Sequence, residues 1–148
     1  MPRLGLRTIK TSISVFFCMV ISFMLGIDPF YACIAAVSTT QSSIQSSFLI
    51  GRDRMLGSAI GAVYGVTFSY FGQNSSFFTA LGLLCVIYTT TLLNSKGAVN
   101  ISCIVLIAIM VEPTVTSPLQ NGIERLLQTL LGIVIAVLVN VSLFPPKT

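Results

Sequence analysis

The chain is poor in charge. Of its 148 residues only 8% are Asp, Glu, Lys or Arg, and the acids number four. A water-soluble domain typically carries charge on about a quarter of its residues, so this chain cannot cover a soluble surface. Histidine is absent, which removes the most frequent metal ligand and general base. The four cysteines, Cys18, Cys33, Cys85 and Cys103, each sit inside an apolar run. They show neither the short spacing of a metal site nor the loop-rich setting of a disulfide scaffold, and are read as small buried apolar residues. No GxxxxGK[ST] phosphate loop and no GxSxG elbow occurs, so nucleotide hydrolysis and that form of serine catalysis are excluded. We expect no catalytic residue, no metal and no cofactor, and a protein that is not an enzyme. The eight basic residues give a net charge of +4 but are scattered. With no basic stripe and no recognition-helix pattern, nucleic acid is not an expected partner.

What is present is apolar. Hydrophobic residues make up 54% of the chain and the mean hydropathy is +0.94. The solvent that suits such a chain is the lipid bilayer. The expected fold is an all-α integral membrane protein with about six transmembrane helices, near Thr11–Gly26, Phe30–Ile50, Leu56–Gly72, Phe77–Asn94, Ala98–Val111 and Ile123–Phe144. The separators "GIDPF", "GRDR", "GQNSS", "NSKG", "EPTVTSPLQNG" and "PPKT" are turn or breaker material. The first segment follows Arg3, Arg7 and Lys10, but "SFMLGIDPFYA" lacks a small-x-small cleavage site, so it reads as a retained span and not a signal peptide. With the N-terminus inside, the cytoplasmic segments hold Arg3, Arg7, Lys10, Arg52, Arg54, Lys96 and Lys147, and the outer loops hold Asp28 and Glu112. This obeys the positive-inside rule at every loop and sets both termini in the cytoplasm. Arg125 alone stands apart, in the first turn of the last span.

A shift of about 70 residues lays Arg54-Met55-Leu56 over Arg125-Leu126-Leu127, Ser58 over Thr129, Gly61 over Gly132 and Cys33-Ile34 over Cys103-Ile104. The match predicts two three-span halves. An odd number of spans makes the second half enter from the opposite side, a 3+3 inverted repeat of the kind found in secondary transporters. The second and fifth spans hold matching places and both are defective as lipid-facing helices. The second turns polar at "STTQSSIQSS", and the fifth covers only about 21 Å at 1.5 Å per residue. Interrupted spans in corresponding places point to a midplane binding site. For "STTQSSIQSS" two readings stand: a cavity lining, or a cytoplasmic loop or helix cap.

Gly57, Gly61 and Gly65 recur every four residues on the third span and are read as a helix-packing face, with Gly132 its counterpart on the sixth. That face joins either the two halves or two protomers. Glu124 and Arg125 head the last span. The helix dipole favours Glu124 there. Arg125 gains nothing from it; its readings are a pair with Glu112, a side chain reaching outer headgroups, or the lining of an anion path. Arg54 would be its partner at the cytoplasmic mouth of the third span. Gln41, Ser42, Gln45, Arg54, Glu124, Arg125 and Thr129 are accordingly the candidate substrate-binding residues, for an organic anion drawn in by basic charge.

The stretches "GLRTIKTSISVFF", "DPFYACIAAVSTTQSSIQSSFLIGRDRMLGSAIGAVYG", "KGAVNISCIVLIAIM" and "IERLLQTLLGIVIAVLVNVSLFPP" resemble the N-terminal membrane domain of the aromatic acid exporter family. That family falls among the fusaric-acid-resistance-like (FUSC) transporters. The resemblance runs from Gly5 to Pro146 and implies a multi-pass protein of the bacterial plasma membrane. It implies efflux of aromatic carboxylic acids and a small aromatic acid as substrate. By position the matching residues are Gln41, Ser42, Arg54, Gly57 and Gly61, then Arg125, Thr129, Gly132 and Asn140. Relatives commonly continue into a soluble cytoplasmic domain after "FPP". Here we expect residues 1–148 to form a single transmembrane domain with no soluble C-terminal domain. Three options stay open: a partner supplies that part, the short form works as an oligomer, or it is one component of a larger exporter. Six short helices leave little interior for a path, which predicts a homo-oligomer. The competing reading is a non-transporting scaffold or assembly subunit acting through its glycine faces.

Overall fold

A computed structural model describes residues 5–112 and 116–143. Arg3, Lys147, the end of the expected sixth span at Phe144 and the "FPP" that follows fall outside these residues. All regular structure among the described residues is helical: α1 (Leu6–Leu25), α2 (Pro29–Thr39), α3 (Ile44–Gly72), α4 (Ser76–Leu92), α5 (Lys96–Val111) and α6 (Pro118–Leu143).

Local sequence accounts for the boundaries. Gly26, at φ +67°, takes the left-handed conformation that closes α1. Asp28 then caps α2 by accepting from the Phe30 N–H at 3.0 Å, with Pro29 in the first turn where its missing N–H costs nothing. Ser43 opens α3, its hydroxyl accepting from the Ser46 N–H at 3.2 Å. Asn74 and Asn94 hold positive φ in the turns before α4 and α5, a conformation asparagine tolerates better than most.

Two expected boundaries are corrected. "GRDR" does not separate spans but lies within the 29-residue α3. Gly51 there is a point of close approach, since a Cβ on it would come within 2.9 Å of the Ile133 side chain. The expected second span divides: α2 has 11 residues, about 16 Å of rise, and the chain breaks over 40–43 before α3 begins. The six helices match the expected number, yet only α1 and α6 are long and apolar enough to cross a membrane unaided; α2, α4 and α5 are shorter apolar helices.

The chain forms two compact units that are not consecutive halves. Unit 1 takes the chain up to Arg52 and again from Gln128; unit 2 is Asp53–Leu127. Thus α1 and α2 pack with the second part of α6, and α4 and α5 with the second part of α3. Each unit repeats the scheme of the other. The buried residues of α2 (Ala32, Ala35, Ala36, Thr39) and of α5 (Ser102, Val105, Leu106, Ile109) stand about 70 residues apart, position by position. Ser14, Cys18 and Ser22 of α1 correspond likewise to Gly82, Val86 and Thr90 of α4.

The polarity of the helices is the reverse of a soluble bundle. The buried face of α1 is Lys10, Ser14, Cys18 and Ser22, whereas Phe16, Phe23 and Met24 (82% exposed) point outward. On α4, Gly82, Val86 and Thr90 are buried while Phe77, Leu84 and Tyr88 are exposed. Small and polar side chains inside with large apolar ones outside is the arrangement of helices packed in lipid. This is a membrane protein.

Candidate functional site

Unit 1 contains a buried polar cluster where the break over 40–43 meets α1 and α6. Lys10 is only 6% exposed and its Nζ donates to Asn140 Oδ1 at 2.6 Å. Asn140 is wholly buried; its Nδ2 donates to Ser47 Oγ at 2.8 Å and toward the Ser43 carbonyl at 3.4 Å. Ser47 Oγ also accepts from the Gln41 N–H at 3.0 Å. One turn further along α1, Ser14 Oγ lies 3.3 Å from Thr40 Oγ1. Beyond these the unit becomes apolar, with Cys18, Ala32, Ala36, Ile135, Ala136 and Val139 in contact.

The helices come close because their contact faces are small. A Cβ on Gly132 would strike the Ala32 carbonyl oxygen and stand 2.7 Å from Ala35 Cβ. Cys18 Sγ reaches the Ala32 carbonyl at 3.7 Å. Thr129 is buried on the same helix.

In unit 2 the glycine face of α3 lies against α5. A Cβ on Gly61 would strike the Ser102 carbonyl oxygen, and one on Gly57 would stand 2.7 Å from that of Ala98. Gly65 meets only the Ile109 side chain, at 3.2 Å. Charges mark the two ends of α5. At its start the Asp53 carboxylate stands over Gly97, 2.8 Å from where a Cβ would be, and the half-buried Arg54 follows it on α3. At its end Arg125, 6% exposed, forms an ion pair with the α5 C-cap residue Glu112, whose side chain is 49% exposed. The length of α5, about 24 Å, separates the two ends. Asn121, one turn before Arg125 on α6, is also buried.

The candidate residues therefore do not form one group. Gln41 joins the Lys10 cluster through its backbone, while its Nε2 donates to the Ser38 carbonyl at 3.0 Å. Ser42 and Gln45 are exposed, as is Glu124. Arg54 and Arg125 both belong to unit 2, Thr129 to unit 1. Lys10 was expected only among the cytoplasmic charges, and neither it nor Ser47 was among the candidate residues. The available signal was spacing: Lys10, Ser14, Cys18 and Ser22 recur every fourth residue on one face of α1. Asn140 was visible as the one amide inside "IVIAVLVNVSLF".

Comparison of the sequence with known proteins places the chain in a family. The chain is 33% identical over 145 residues to UPF0421 proteins of Staphylococcus aureus, among them those of strains USA300, NCTC 8325 / PS 47 and N315. The match takes in 97% of this chain and 44% of each relative, so the chain spans under half the length of these relatives. No solved structure matches it significantly. The family model described as aromatic acid exporter family member 1 matches residues 2–143, nearly the whole of the sequence. Two compact helical units with apolar exteriors are thus the form taken here by a chain that belongs to the aromatic acid exporter family.

Proposed function

We propose that this protein is the membrane part of an efflux transporter for aromatic carboxylates or related organic anions. It would lie in the bacterial plasma membrane as a multi-pass homo-oligomer with both termini in the cytoplasm. Family membership supports a transporter role, and the distribution of basic residues supports the orientation. The observation that carries the anion reading is Arg125. Its guanidinium is buried among apolar helices, and its carboxylate partner Glu112 is half exposed. Such a pair is already a carboxylate site, occupied by the protein's own side chain. A guanidinium presents a planar fork matched to carboxylate oxygens, and a substrate carboxylate arriving from the exposed side can exchange with Glu112 without leaving the arginine uncompensated.

The test is retention of radiolabelled benzoate by cells that express the protein, express Arg125→Ala or lack it, with membrane insertion checked by immunoblot. The wild type is expected to retain least and Arg125→Ala to match cells without the protein. Equal retention in all three would overturn the reading.

A further inference from the structure

The buried cation of unit 1 is not used by the Arg125 reading. The pseudo-equivalent place in unit 2 is filled differently. There the α1 position of Lys10 corresponds to Phe78 on α4, and the α6 position of Asn140 corresponds to Ser69 on α3. Phe78 packs against Gly72 and Phe71 of α3, so the α3–α4 contact at that place carries no charge. Lys10 also stays inside although exposed Arg7 and Ile9 lie within one turn of it and a lysine has the reach to snorkel outward. An ammonium kept inside apolar helices marks a functional site.

Its surroundings specify the ligand. The charge calls for an anion. The partners on α6 and α3 are an amide and a hydroxyl, Asn140 and Ser47, which donate to carboxylate oxygens as readily as to each other. Beside the cluster runs an apolar groove of about 390 Å³ between α1 and α6, lined by Ile13, Phe17, Ile21, Leu138, Val139 and Leu143 among others. Its size lies in the range of small-molecule sites. Ile13 is one turn from Lys10 on α1 and Val139 adjoins Asn140. We infer that Lys10, positioned by Asn140, anchors the carboxylate of an aromatic acid whose ring lies in the α1–α6 groove, a second anion site distinct from Arg125. The inference rests on the exporter reading for its substrate class.

The test is saturable binding of radiolabelled benzoate to the purified full chain in detergent. Lys10→Met is expected to weaken the Lys10-dependent binding by about 10- to 100-fold, the loss of a charge-assisted contact, and Lys10→Arg to keep most of it. Asn140→Asp keeps the side-chain shape and puts a resident carboxylate on Lys10; it is expected to fold and to lose the same binding by self-competition. Ser69→Ala, the unit 2 counterpart, is expected to bind like the wild type. Unchanged binding in Asn140→Asp or Lys10→Met would overturn the inference, as would acetate binding as tightly as benzoate. If those variants bind normally while Arg125→Ala does not, the exporter reading stands and only the second site falls. If the wild type binds no benzoate and cells show no difference in retention, both fall.

Discussion

Units 1 and 2 build the same helix arrangement from different interiors. In unit 2 four buried positions of α4 and α5 are filled by Val86, Leu106, Ile109 and Met110, and Tyr64, Phe68 and Phe78 pack against Val86, Leu106 and Met110. Unit 1 fills corresponding places with Cys18, Ala36, Thr39 and Thr40, and gathers Lys10, Ser47 and Asn140 at one end. Its apolar core combines Cys18, Ala32, Ala36 and Ala136 with Ile135 and Val139. Since both interiors support one backbone scheme, the polarity of unit 1 is not a requirement of packing. What both units share is close backbone contact through glycine, Gly61 on Ser102 and Gly132 on Ala32. The shared feature holds the fold, and the unshared one is where chemistry is to be sought.

The largest effect should therefore come from the shared feature and be equal in both units. At Gly61 and at Gly132 a Cβ would meet a backbone carbonyl that cannot turn aside. Even alanine must push two helices apart, a cost of about 3 kcal/mol or more by comparison with overpacked cores. Gly61→Ala and Gly132→Ala should each lower the yield of monodisperse protein and its unfolding temperature in detergent, to a similar degree. Gly65→Ala meets only the Ile109 side chain, no closer than 3.2 Å, and should cost about 1 kcal/mol or less. If one of the first pair behaves like Gly65→Ala, the two units do not share their contact.

Much of this was legible in the sequence, and the glycine spacing shows why. Gly57, Gly61 and Gly65 fall at helical intervals, so their common face follows from 3.6 residues per turn. The expected repeat drew on Gly61 over Gly132, two positions where backbone contact leaves only glycine as a choice. What could not be read was which helices each unit contains. Nothing local tells α3 to leave α1 and α2 and pack on α5, for its apolar residues suit either. "GRDR" misled for a related reason: arginine and aspartate are tolerated within a helix, and Gly51 serves contact there and not a turn. Lys10 was missed because a positive-inside rule counts charges along the chain and does not see which face of a helix carries them.

A smaller effect should separate the units. Asn140→Ala removes the amide that accepts from Lys10 and donates to Ser47. Each then loses one buried hydrogen bond, and one of the two groups is charged. The expected loss is about 2–3 kcal/mol, read as a shift of the denaturation midpoint in mixed micelles. A change under about 0.5 kcal/mol, the range of ordinary surface substitutions, would mean that the cluster does not hold the end of unit 1 together.

The smallest effect, and the most discriminating, is expected at Ser69. This serine occupies in unit 2 the place of Asn140, is 6% exposed, and its hydroxyl has no hydrogen-bond partner among the described residues. A buried hydroxyl without a partner costs desolvation and returns nothing. Alanine also has the higher helix propensity. Ser69→Ala should thus leave the denaturation midpoint unchanged or raise stability by up to about 1 kcal/mol, opposite in sign to Asn140→Ala. The pair of substitutions asks one question of two equivalent positions. Opposite signs mean that polarity at this place is built into unit 1 alone. If Ser69→Ala proves as damaging as Asn140→Ala, unit 2 also depends on a polar contact at this end, and the argument that Lys10 is dispensable to the fold loses its control.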